Sequence, residues 1–336
     1  MRGVAVNIDS VGIIGGGAWG TALAQAMNRA GREVLLWARE PEVVTAINER
    51  HVNATFLPGV ELDAKVRATG SLADAAACDA ILMVAPAQHV RAVSQELKAH
   101  VRDEQPVVIC SKGIEQKTGR LMGEVVGEVL PQATQAALSG PSFAADVVRG
   151  LPTALTIGGE DEKTGRLLAE RFGSPTFRLY WTSDLVGVEL GGAVKNVLAI
   201  AAGIVAGRGL GASAHAALVT RGFAELRRFC EALGAKPETL MGLSGLGDLI
   251  LTCGSPQSRN MSFGRALGEG KSVSDALGGR VSVTEGVYTA GAVRKIAQDK
   301  GIDMPVATAV DDVVQGRLTV DDAIEQLMQR PQKAED

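Results

Sequence analysis

A lysine and an asparagine interrupt the longest apolar run of this chain. Between residues 186 and 207 the apolar positions recur at helical spacing, yet Lys195 and Asn196 stand in the middle. A lysine is rarely fully buried unless it is paired or functional. Burial disfavours the ammonium form and draws its pKa towards neutrality, where a group that gives and takes a proton near pH 7 must titrate. Gly191 and Gly192 precede Lys195 on roughly the same helical face, where missing side chains let a ligand or a loop come close. The same pattern also allows a lysine that snorkels to solvent. A second stretch, residues 242–253, is dense in glycine and apolar residues and carries one carboxylate, Asp248. To be buried there it needs a cation or hydrogen-bond donors, and Lys195 is one candidate. Just beyond it, Ser258, Arg259 and Asn260 lie ahead of a segment that reads as a helix over 261–267. A hydroxyl, a guanidinium and an amide at a helix N-terminus form an anion site best suited to a phosphate. An ordinary N-cap with a solvated arginine is the competing reading.

A third constellation lies near the N-terminus, where the apolar run 11–14 leads into Gly15-x-Gly17-x-x-Gly20 and then into helix-forming residues. Strand, glycine turn and helix in this order form a dinucleotide-binding fingerprint. Gly15 serves the tight turn, Gly17 the approach of a pyrophosphate, and Gly20 the packing of helix on strand. The end of the following strand is where the adenosine ribose is read. A basic residue there accommodates the extra phosphate of NADP, and an acidic one selects NAD. Arg39 followed by Glu40 favours NADP(H) and leaves NAD(H) open.

The elements that must position these groups follow from the pattern. Apolar strands are expected at 11–14, 33–38, 66–69, 80–85, 106–110, 136–139, 154–157 and 176–180. Helices are expected at 21–30, 41–50, 71–77 with Ser71 as cap, 90–100, 121–130 and 162–172, and residues 56–59 read as a turn. Strand and helix alternate, so residues 1–184 read as an α/β dinucleotide-binding domain, a doubly wound parallel sheet of Rossmann-like type. From 185 to 331 the strand pattern stops. Helix-length segments broken at Gly209, Gly234, Gly254, Gly278 and Gly301 read as an all-helical substrate domain, and the polar tail 332–336 is expected to be disordered. Ligands of such sheets bind beyond the carboxyl ends of the strands, which brings in the loops at Pro86, Lys112 and 140–144, with Ser142.

The net charge of −4 gives no sign of a nucleic-acid partner. Glu189, Lys195 and Asn196 make the long apolar run a buried helix rather than a membrane span. The cysteines Cys78, Cys110, Cys230 and Cys253 are far apart, with no metal-ligand spacing, and read as free thiols of a reducing compartment. With no signal-peptide pattern at the N-terminus, the cytoplasm is the expected location.

Taken together and in order, these motifs resemble the bacterial NAD(P)-dependent glycerol-3-phosphate dehydrogenase family over nearly the whole chain. The resemblance is carried by the glycine turn with Trp19, Ser111-Lys112-Gly113, residues 139–144, Gly191 to Asn196, Gly245 to Leu249, and Gln257 to Asn260. It implies reversible, NAD(P)-dependent reduction of dihydroxyacetone phosphate to sn-glycerol 3-phosphate, supplying glycerophospholipid synthesis. It makes Lys195 the proton donor and acceptor. Lys112, Gly140, Ser142, Asn196, Asp248, Ser258, Arg259 and Asn260 would contact the substrate. Gly15, Gly17, Ala18, Trp19, Gly20, Arg39, Lys112, Ala144, Arg259, Val283 and Glu285 would line the cofactor site. Ala18 stands where the family often has a serine, which removes one phosphate hydrogen bond and leaves the backbone cradle intact. The partner implied is a small phosphorylated molecule, with no stable membrane insertion, and a homodimer is compatible with the resemblance. Two other readings remain open: a reductase of small 2-oxo or 3-hydroxy acids with the same architecture, and a non-catalytic nicotinamide-binding sensor.

Overall fold

The structure, a computed structural model, describes residues 7–278 and 284–331. Its first half is built on the apolar runs. They form β1 (Ser10–Ile14), β2 (Glu33–Trp37), β3 (Val52–Asn53), β4 (Leu57–Glu61), β5 (Arg67–Thr69), β6 (Ala80–Met83), β7 (Pro106–Ile109), β8 (Thr134–Ser139), β9 (Thr153–Gly158) and β10 (Phe177–Thr182). The intervening helices are α1 (Ala18–Arg29), α2 (Pro41–Arg50), α3 (Leu72–Ala76), α4 (Val90–Leu97), α5 (Met122–Val129), α6 (Ala144–Val148) and α7 (Glu162–Phe172). Ser71 does cap α3, its side chain accepting from the Asp74 N–H. Residues 56–59, read as a turn, instead lie in and next to β4, which pairs antiparallel with β3 as a small hairpin outside the main sheet.

Eight strands form the sheet, in the order β10-β9-β8-β7-β6-β1-β2-β5. Every residue of β6 and β7 is buried, as continuous apolar strands covered on both faces must be. The chain winds outward from β1 in one direction through β2 and β5, and from β6 in the other, so the carboxyl ends of β1 and β6 flank the reversal of strand order, where such sheets hold ligands. The sheet is parallel-dominated, as expected, with one exception. Strand β9 runs antiparallel to β8, and β10 runs parallel to β9. The connection between β8 and β9, residues 140–152 with the short helix α6, brings the chain back into the sheet at the end where β8 finished.

Beyond Thr182 the elements are helical: α8 (Leu185–Gly207), α9 (Gly211–Ala232), α10 (Pro237–Leu240), a π-helical turn at Leu243–Gly247, α11 (Asp248–Gly254), α12 (Arg259–Gly268), α13 (Val273–Leu277), α14 (Glu285–Lys300), α15 (Pro305–Val314) and α16 (Val320–Met328). Helix α8 is long and apolar enough to cross a membrane, but 89% of its most apolar window is buried inside the protein. It is the core of the helical half. Helix α12 packs on it backbone to backbone. A Cβ on Gly203 would lie 2.1 Å from the Met261 carbonyl oxygen, and one on Gly264 would lie 2.0 Å from that of Ile200. Glycine at these places lets the start of α12 settle beside the middle of α8.

Candidate active site

Lys195 is buried in the middle of α8, with its side chain 7% exposed, and it does not snorkel. Its Nζ donates to Asp248 Oδ1 at 2.5 Å and to Thr252 Oγ1 at 2.7 Å. The π-helical turn supplies the partner. It swings the chain so that Asp248 opens α11 fully buried, with Thr252 one turn later on the same face. The other carboxylate oxygen accepts from Lys112 Nζ at 2.7 Å, and Lys112 also reaches the Gly140 carbonyl at 3.4 Å. Lys112 follows β7 and Gly140 follows β8, so the strand ends and the helical half meet at one carboxylate.

One buried anion between two ammonium groups leaves an excess of positive charge where a substrate oxygen could develop negative charge. Burial holds the Lys195 pKa down, with Asp248 pulling it up and the Lys112 charge pushing it down again, to about 8. The group can therefore exchange a proton near neutral pH. Gly191 and Gly192 admit parts of the protein at this face. A Cβ on Gly191 would meet the Ser244 carbonyl oxygen at 2.6 Å, and one on Gly192 would meet Ser139 Oγ at 2.5 Å.

Helix α12 begins at Arg259 rather than at residue 261, with Ser258 as its N-cap, the hydroxyl accepting from the Met261 N–H at 3.2 Å. Asn260 Nδ2 donates to Asn196 Oδ1 at 3.0 Å, and Asn260 Oδ1 accepts from the Gly286 N–H at 3.0 Å. The two amides thus tie α8, α12 and α14 together beside Lys195. Arg259 is exposed and has no hydrogen bond or ion pair among the described residues. Ser142 Oγ donates to the Gly140 carbonyl, which keeps the loop after β8 compact.

At the reversal of strand order, Gly15 takes φ +138° and a Cβ on it would meet the Val84 carbonyl carbon at 3.0 Å. A Cβ on Gly20 would lie 1.8 Å from the Gly15 carbonyl oxygen, whereas one on Gly17 would meet nothing within 4 Å. Gly15 and Gly20 are therefore required by the fold itself. Gly17 is not, and its bare surface suits something that approaches from outside. Helix α1 starts there with no side-chain cap and no acidic residue in its first turn, a free positive end. Ala18 and Trp19 form that first turn, and the Trp19 Nε1 is buried without a partner.

Arg39 lies exposed just after β2. Ala144 opens α6 beyond the 140–143 loop. Glu285, the first residue of α14, accepts from the Ala87 N–H at 3.2 Å, and its other oxygen is buried without a partner. Burial lifts its carboxyl to about 7 against the pull of that N–H and of the Arg259 charge. Val283 lies outside the described residues. Two contributors escaped the sequence reading. Thr252 could have been found from its spacing of four from Asp248. Asn53, which holds the glycine turn from the β3–β4 hairpin, carries no signal in its neighbours.

A doubly wound sheet with a glycine turn at its reversal point, joined to a helical half that contributes a buried lysine, defines a nicotinamide-dependent oxidoreductase class of protein. Comparison with known sequences narrows it. Residues 10–165 match the model for the NAD-dependent glycerol-3-phosphate dehydrogenase N-terminus, and residues 184–325 that for its C-terminus. The chain belongs to this family. It is 58% identical over 325 residues to a glycerol-3-phosphate dehydrogenase [NAD(P)+] of Parvibaculum lavamentivorans, covering 97% of this chain and 98% of the relative. It is 56% identical over 330 residues to that of Caulobacter vibrioides, covering 98% and 100%. The crystal structure of the glycerol-3-phosphate dehydrogenase of Coxiella burnetii superposes with a TM-score of 0.92 at 38% identity, covering 96% of this chain and 99% of that one.

Proposed function

We propose that this chain catalyses the reversible NAD(P)-dependent reduction of dihydroxyacetone phosphate to sn-glycerol 3-phosphate in the cytoplasm, as a supply for glycerophospholipid synthesis. Family membership supports the reaction. The observation that carries the chemistry is the buried Lys195–Asp248–Lys112 arrangement, with Arg259 at the start of α12 next to Asn260, whose amide bonds Asn196.

The glycine turn, with the backbone of Ala18 and Trp19, is suited to hold the pyrophosphate of the cofactor. Arg39 would read the adenosine ribose, while Ala144, Lys112, Arg259 and Glu285 would line the remaining length. When bound, the reduced nicotinamide supplies a hydride for the C2 carbonyl carbon. Lys195, in its ammonium form, hydrogen-bonds the carbonyl oxygen and transfers its proton as negative charge grows there. Asp248 keeps Lys195 oriented and Lys112 adds positive charge to the same region. In the reverse direction neutral Lys195 takes the proton from the alcohol. Arg259, with the Asn196 amide and the Ser258 hydroxyl, grips the phosphate away from the reacting carbon, so its binding energy serves positioning. Gly140, Ser142 and Asn260 shape the pocket from either side.

The test is NADPH oxidation by the parent and by Arg259→Ala with dihydroxyacetone phosphate and with dihydroxyacetone. A phosphate grip predicts a kcat/KM loss of ~10² or more confined to the phosphorylated ketone. Equal and small effects on both substrates would make Arg259 a surface charge and sink the phosphate assignment.

A further inference from the structure

The small β3–β4 hairpin stands outside the main sheet, and one of its side chains reaches back to the glycine turn. Asn53 is 1% exposed. Its Nδ2 donates to the Gly16 carbonyl oxygen at 2.8 Å and to Thr21 Oγ1 at 2.8 Å. The Thr21 hydroxyl in turn donates to the Gly17 carbonyl at 2.9 Å, which also accepts from the Thr21 N–H at 3.0 Å. Asn53 Oδ1 accepts from the Phe56 N–H, which fixes the amide within its own hairpin.

A trans peptide points its C=O and its N–H in opposite directions. Holding the Gly16 carbonyl on the hairpin side therefore turns the Gly17 N–H to the other side, while the Gly17 carbonyl is fixed by the Thr21 N–H and hydroxyl of α1; neither the Gly17 nor the Ala18 N–H has an acceptor among the described residues. Glycines have little intrinsic preference for one peptide orientation. If the Gly16 peptide turned over, a carbonyl oxygen would face the place where an anion must lie. We propose that Asn53 is a positioning residue, which holds the Gly16–Gly17 peptide with its N–H aimed at the cofactor pyrophosphate and steadies the neighbouring Gly17–Ala18 peptide only through the Thr21 hydroxyl. The proposal rests on the reading of the glycine turn as the pyrophosphate site. Ala18, lacking a hydroxyl, makes this backbone orientation the main source of donors on the turn.

The experiment measures Kd for NADPH, NADH and ADP by calorimetry, together with steady-state kinetics, for the parent, Asn53→Ala, Thr21→Val and Gly17→Ala. The pyrophosphate is common to all three ligands. Asn53→Ala should raise each Kd alike, by about tenfold, and raise KM for the cofactor while kcat at saturating cofactor and KM for the ketone stay within twofold of the parent. Thr21→Val, which keeps the contact to Gly16, should shift Kd the same way by less, and it decides the matter if Asn53→Ala does not fold. Unchanged Kd values, a rise confined to NADPH, or a kcat loss matching the KM change overturns the proposal. Gly17→Ala separates the two levels. Its new methyl meets no protein atom within 4 Å, so weaker binding there with unchanged binding in Asn53→Ala rejects only the role of Asn53. No effect from either rejects the turn as the pyrophosphate site.

Discussion

Lys195 has its charge state set by competition. Removal from water pushes its pKa down, and the carboxylate at 2.5 Å pulls it up. With the balance near 8, ketone reduction, which needs the ammonium, should lose kcat/KM as pH rises through about 8, and alcohol oxidation, which needs the amine, should gain over the same range. Asp248→Asn removes the group that raises the pKa, so the limb of the reductive profile should move to lower pH. A limb that stays in place would show that another group titrates. Lys195→Ala should reduce turnover by ~10² to 10⁴ and leave Kd for NADPH near the parental value. Turnover within a few-fold of the parent would exclude Lys195 as the proton donor. Arg39 is a simpler case, an exposed guanidinium with no partner among the described residues. Arg39→Asp exchanges a 2′-phosphate partner for an acceptor of ribose hydroxyls, and the kcat/KM ratio of NADPH to NADH should fall. An unchanged ratio would place discrimination elsewhere.

Elements decide how near these groups come to one another. Helix α12 can deliver Ser258, Arg259 and Asn260 beside Lys195 because glycines of α8 and α12 face each other across the crossing. A methyl on Gly264 would overlap the Ile200 carbonyl at 2.0 Å, with no flexible side chain to move aside. Gly264→Ala should therefore destabilise the fold by about 1–3 kcal/mol, the usual cost of overpacking, and raise KM for the phosphorylated ketone by displacing the start of α12. Urea denaturation and kinetics on the same preparation check both, and a midpoint equal to the parent's would mean that the crossing relaxes freely. The β3–β4 hairpin makes the same point for the cofactor end. Read as a turn, it is a structural arm that carries Asn53 under the glycine loop. Helix α6 sits in the connection that brings β9 back antiparallel to β8.

Across the molecule, several carboxyls are held inside the fold against their preference for water. Glu225 on α9 is 3% exposed and accepts from the N–H groups of Val306 and Ala307, at the start of α15. Burial outweighs those donors and lifts its carboxyl to about 7. A carboxyl whose folded pKa lies above its unfolded value stabilises the fold while protonated, so this contribution is complete below pH ~4.5 and is lost as pH rises through about 7. Relative to Glu225→Gln, which stays neutral, the parent should lose stability between those limits, on the order of 3 kcal/mol at most. Denaturation midpoints at pH 5 and pH 8 check this, and a difference that does not change with pH would remove Glu225 from the account. The glycine turn, the helical character of the described elements past Thr182, and Lys195, Asp248 and Arg259 as candidates were legible in the sequence, because periodicity, turn residues and a charge inside an apolar run are local signals. The antiparallel β9 and the β3–β4 hairpin were not, because the direction in which a strand enters a sheet and the partner it takes are set by tertiary contacts that the local apolar pattern does not carry. Nor were the Lys112–Asp248 pair and the hold of Asn53 on Gly16. They join residues separated by 136 and 37 positions, and local sequence does not specify which distant side chains folding brings within a hydrogen bond of each other. Lys195 was named by its apolar surroundings, but its pKa near 8 exists only once α11 has brought Asp248 against it and the packed core has removed water.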